Sequence, residues 1–154
     1  MRAPRVFSVL AALAIIGVSC KDETTGIPAG LEVYTATLNG ANEAPTPVTT
    51  TATGTAIVTV LGKQVTWKVD ILTAIDSISA GHIHRHAADS VAGNVQVNFA
   101  PTPTGPGFTG TATVGSLANV DDSIIALMRD GRSYVNIHTK AHGGGEIRGT
   151  LVKQ

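Results

Sequence analysis

The chain has 154 residues, about one domain, with 17 Gly, 7 Pro and only 14% charged residues, well below the quarter usual for globular proteins. Its formal charge is zero, which removes the electrostatic basis for binding nucleic acid or an anionic membrane surface. A single cysteine, Cys20, excludes an internal disulfide, so a packed core must carry the stability.

The chain opens on a basic stretch, Met1 to Arg5, followed by an apolar run from Val6 to Val18. That run is too short to span a bilayer comfortably, and residues 1–19 read as a secretory signal. The run ends in "GVSC", which resembles a bacterial lipobox, with Gly17 where Leu is usual. The resemblance implies lipidation of Cys20 and a place in the bacterial cell envelope, on the periplasmic or outer face, with membrane contact through the lipid alone. The alternative is an ordinary signal peptide with an incidental cysteine. Residues 20–30, polar with Gly and Pro, read as a flexible tether.

From Leu31 to Gln154 the chain reads as one all-β domain. Thr, Val and Ile favour pleated, half-buried surfaces. "LEVYTATL", "TATGTAIVTVL" and "QVTWKVDIL" give three strands. In the third, Val65, Trp67, Val69 and Ile71 alternate with Thr66, Lys68 and Asp70, so one face is buried and the other wet. Gly62–Lys63 is a two-residue hairpin signal. "SISAGHIH" follows, then "NVQVNFA", with Val95, Val97 and Phe99 expected on one face. "PTPTGPG" is a loop and "FTGTATV" a strand. "VDDSIIALMRDG" changes period: Asp121 or Asp122 caps one short helix, Ile124, Leu127 and Met128 share its face, and Gly131 ends it. "SYVNIHT" and "EIRGTLV" close the chain. Seven to eight short strands with frequent turns predict an antiparallel sandwich or barrel.

Several of these stretches resemble a chordin-type (CHRD) domain. Leu38, Gly40, Glu43 and Pro45 match its L-x-G-x-x-E-x-P opening, and Ala52, Thr53 and Gly54 its A-T-G step. "AGHIH" is similar to its middle element, with Gly81 inserted. Tyr134, Val135, Asn136, His138, Thr139, Gly145, Glu146, Ile147, Arg148 and Gly149 match its closing Y-V-N-x-H-T and G-E-I-R-G motifs. The resemblance covers about Leu31 to Val152. It implies an extracytoplasmic, immunoglobulin-like β-sandwich or barrel, and no activity. A protein or cell-envelope partner is an expectation of the same kind, of unknown identity.

The histidines are argued from chemistry. His82 and His84 sit two apart in a strand, on one face and roughly 7 Å apart at Cα, so their rings can converge on one ion. His138, in the second run "YVNIHT", supplies a third imidazole, and three protein ligands are the number of an open metal site. Imidazole suits copper, zinc and nickel; one copper ion, or zinc next, is expected. His142, just before Gly143, Gly144 and Gly145, is a fourth ligand if the turn swings it back. His86 lies about 13 Å along a straight strand from His82 and joins only if the strand bends. Copper–zinc superoxide dismutases are similar in having an H-x-H pair, a late histidine and a C-terminal Arg in this chain order. A bridging histidine, a zinc loop and disulfide cysteines have no counterpart here, so the likeness implies at most one metal. The functional readings are a non-catalytic metal-binding or interaction module, a mononuclear copper redox enzyme, and a structural adhesion module. In the bland alternative each histidine is a hydrogen-bonded polar residue, Glu146 and Arg148 pair with each other or with Asp89, and the three glycines form a tight turn.

Overall fold

A computed structural model describes residues 27–86 and 93–154. The signal segment, Cys20 and Asp89 lie outside the described residues. Alternating apolar and polar residues give nine strands among the described residues: β1 (Glu32–Asn39), β2 (Thr53–Leu61), β3 (Gln64–Ile75), β4 (Ile78–Arg85), β5 (Val95–Asn98), β6 (Phe108–Leu117), β7 (Ser133–Thr139), β8 (Ile147–Thr150) and β9 (Val152–Lys153). One helix, α1 (Asp122–Arg129), lies between β6 and β7, and a short 3-10 turn, Gly40–Asn42, follows β1. No helix among the described residues is long and apolar enough to cross a membrane.

All pairings are antiparallel, and the sheet runs β5-β4-β7-β8-β1-β2-β3-β6, with β9 on β1. This single sheet curls into a nearly closed barrel. Its two ends meet where the Thr113 hydroxyl donates to the Phe99 carbonyl, 3.2 Å away. Trp67 fills the same corner. Its ring stacks on Phe99 with centroids 5.0 Å apart, and its indole N–H donates to Thr113 Oγ1 at 3.2 Å. Two glycines make room for this pair. A Cβ on Gly115 would fall 2.5 Å from the Trp67 ring, and one on Gly81 would lie 3.3 Å from Phe99. The Gly81 that interrupts the family-like "AHIH" spacing thus faces the interior.

The turn between β2 and β3 is the expected two-residue hairpin, with Leu61 opposite Gln64 and Gly62 at φ +58. The expected core residues Val65, Trp67, Val69 and Ile71 are all buried. Two local expectations are corrected. Val97 and Phe99 are buried but Val95 is 47% exposed. Register slips by one residue between Ile83 and His84, so that Val97 pairs with Ile83 while Val95 pairs with His84; a one-residue slip turns a side chain to the other face. In α1 the buried stripe is centred on Ile125 and Met128, with Ile124 and Leu127 at its edges. Asp121 is the cap, accepting from the Ser123 N–H at 2.8 Å.

Candidate metal centre

Strand β4 lies beside β7, and β7 beside β8. Their inward residues, Ile83, Val135, Ile137 and Ile147, belong to the core. The alternate residues point outward: His82 and His84 from β4, Tyr134, Asn136 and His138 from β7, Arg148 from β8. Register sets His82 opposite Asn136, His84 opposite Tyr134 and Asn136 opposite Arg148. An outward face is ordinarily wet, yet His84, His138, Asn136, Tyr134 and Arg148 are all buried. Loops cover them. Asn42, in the turn after β1, donates to the Arg148 carbonyl at 3.0 Å, and Thr50 further along that loop donates to Glu146 Oε1 at 2.8 Å. Gly143 and Gly93 close the cover from the other sides.

The covering loops orient the imidazoles. His84 donates from Nδ1 to the Gly93 carbonyl at 2.8 Å. His138 donates from Nδ1 to the Gly143 carbonyl at 3.0 Å. A carbonyl only accepts, so in both rings the proton sits on Nδ1 and Nε2 keeps its lone pair. His138 Nε2 lies 3.0 Å from His82 Nδ1, whereas His84 Nε2 is buried with no partner. One nitrogen from each of His82, His84 and His138 falls within 4.8 Å of the others. Nitrogens held about 2.0–2.1 Å from a tetrahedral ion are separated by about 3.4 Å. The His82–His138 pair, at 3.0 Å, is already inside that span, and the widest gap is no more than 4.8 Å. A metal-ligating histidine typically donates its other N–H to a carbonyl or carboxylate, which is what Gly93 and Gly143 receive here.

Tyr134 stiffens this arrangement. Its ring lies flat on His84, centroids 5.0 Å apart and planes 7° from parallel, with the Arg148 guanidinium 3.6 Å from the Tyr134 ring centroid. Its hydroxyl accepts from the Gly93 N–H at 3.0 Å. Gly93 therefore holds the tyrosine by its N–H and the histidine by its carbonyl. A Cβ there would lie 1.8 Å from the Arg85 carbonyl oxygen, so only glycine fits.

The other sequence candidates are placed elsewhere. His142 is half-buried outside the group of three, and its carbonyl closes the glycine-rich turn by accepting from Gly145 N–H at 3.0 Å. His86 follows the end of β4; its ring meets Arg148 Nη2 at 3.2 Å and Thr150 Oγ1 at 3.3 Å. Glu146 is held by the hydroxyls of Thr50 and Thr139 at 2.8 and 2.7 Å. The Gly93 and Gly143 carbonyls, the Tyr134 stack and the buried Glu43 beside Asn136 did not emerge as site features from the sequence. Tyr134, Asn136 and Glu43 were visible only as motif positions, and nothing in the local pattern marks Gly93.

Burial favours neutral rings. It lowers His82 to about 4, with the neighbouring charges of His138 and then His84 acting the same way. Burial also lowers His84 and His138, against partial opposition from their carbonyl partners. Free histidine takes a proton near 6.5. As pH falls below 6.5 the unfolded chain therefore gains protons that folded His82 refuses until about 4, and stability drains away across that window. We expect the shift in urea midpoint of metal-free protein between pH 7 and pH 5 to be more favourable in His82→Gln than in wild type, because the variant lacks this loss. An equal shift in both proteins would contradict this.

No curated protein and no solved structure matches this chain. A family model described as the CHRD domain matches residues 34–151, from β1 to the junction of β8 and β9, and the chain belongs to that family.

Proposed function

We propose that the domain binds one metal ion through His82, His84 and His138, copper in preference and zinc next, as a module carried on the outside of the bacterial membrane by a lipid on Cys20. The observation that carries the metal reading is the His84 Nε2 lone pair, buried without a partner, on a ring that belongs to the group of three histidines. An unsatisfied buried polar atom is costly, and an ion there would satisfy it. An all-imidazole set suits copper and zinc, and affinity in such sites rises to copper in the divalent series. The ion would lie between His82 Nδ1 and His138 Nε2, with the His82 proton carried on Nε2 instead. Binding without turnover is the principal reading. Three protein ligands leave a position open, which favours a mononuclear copper redox activity as the second reading.

The test is elemental analysis of untagged protein purified after export, followed by copper titration. One equivalent bound supports the proposal, and no binding at micromolar copper overturns it. Superoxide consumption by the copper-loaded protein would favour the redox reading. The anchor is tested separately: native protein is expected to partition into detergent and Cys20→Ala into the aqueous phase. Equal partitioning would remove the lipid from the account.

A further inference from the structure

Glu43 sits in the loop that follows the 3-10 turn and is 6% exposed. Asn136 reaches it from β7, donating from Nδ2 to Glu43 Oε2 at 3.3 Å. This leaves Glu43 Oε1 and Asn136 Oδ1 both buried and without a partner. If Glu43 were ionised, both orphan atoms would be acceptors, each with a desolvation cost and neither able to relieve the other. A single proton on Oε1 resolves both. It turns that oxygen into a donor, and the orphan acceptor on the amide already bonded to the same carboxyl is Asn136 Oδ1. We propose that Glu43 is held as a neutral carboxylic acid that closes a two-bond ring with the Asn136 carboxamide, latching the loop after β1 over the histidine-bearing face of the barrel.

The surroundings agree. Gly145 packs against Asn136 so closely that a Cβ would fall 2.4 Å from Nδ2. Arg148, paired with Asn136 in register, is the charged group that favours the carboxylate. Burial outweighs both it and the Asn136 hydrogen bond, and raises Glu43 to about 7. Glu146, at the start of β8, is turned to Thr50 and Thr139, and His142 lines the same small recess of about 330 Å³ beside Glu43. The latch does not depend on a metal. It holds the strand that carries His138, at the position opposite His82, so it controls the cover of that cluster.

The sign follows from linkage. A carboxyl whose folded value lies above its unfolded one contributes stability that is full below about 4.5 and is lost as pH rises through about 7. Glu43→Gln replaces the acid by an amide that can close the same ring at every pH. We expect the variant to stay within about fivefold of wild type at pH 5 and to have a folding equilibrium constant on the order of 100-fold higher or more at pH 9. The ¹³C resonance of the Glu43 carboxyl, followed in wild type, is expected to titrate near 7. A carboxyl midpoint near 4.5, or a Gln variant less stable than wild type at both pH values, would overturn the latch.

Discussion

Replacing His84 with Ala is expected to lower copper affinity by a factor of at least about 100. In the proposed site each of the three imidazoles would take a coordination position, and loss even of an outer hydrogen-bond partner commonly costs 10–100-fold. His84 is the most informative of them because its Nε2 has no other partner. His82→Ala and His138→Ala should weaken binding similarly. His142→Ala and His86→Ala should leave affinity within about threefold, since neither ring belongs to the cluster. Tyr134→Phe keeps the stack on His84 but removes the hydroxyl that holds Gly93, so it should fall between the two groups. Isothermal titration of the folded variants checks the order. Equal loss in His142→Ala and His84→Ala would break the assignment.

The second large effect concerns the barrel. Trp67→Ala is expected to cost about 3–5 kcal/mol, the usual range for deleting a large buried aromatic. The cost should lie at the upper end because the ring also stacks on Phe99 and bonds Thr113, which together join the two ends of the sheet. Against a typical total stability of about 5–15 kcal/mol, such a loss leaves a marginal domain. Val114→Ala on the adjoining strand is the control. Val114 is 67% exposed and should change stability by no more than about 0.5 kcal/mol. Urea denaturation of both variants measures the difference, and similar midpoints would remove Trp67 from the centre of the fold.

Much of this was legible in the chain because the strands carry a clean period of two. Val65, Trp67, Val69 and Ile71 announced the interior of β3, and the same alternation in β7 separated Val135 and Ile137 from Tyr134, Asn136 and His138. The convergence of His82 and His84 on His138 followed from parity plus one unproven step, the neighbouring of β4 and β7, which the structure supplies. What alternation cannot give is depth. It puts Asn136 and Arg148 on an outward face, and only the folding of the loop after β1 and of the glycine-rich turn buries them. Val95 was misplaced for a similar reason: a register slip is a pairing event and leaves no mark in local pattern. His142 joins the cluster only if the turn swings it back; the turn is closed by its own main chain, and His142 is not among the three grouped histidines.

The most direct measurement is X-ray absorption at the metal edge of the loaded protein, with copper and then with zinc. The expected spectrum shows three imidazole nitrogens around the metal, at about 2.0–2.1 Å for zinc, falling to two in His84→Ala. A shell with one imidazole or none, or one unchanged by His84→Ala, would contradict it.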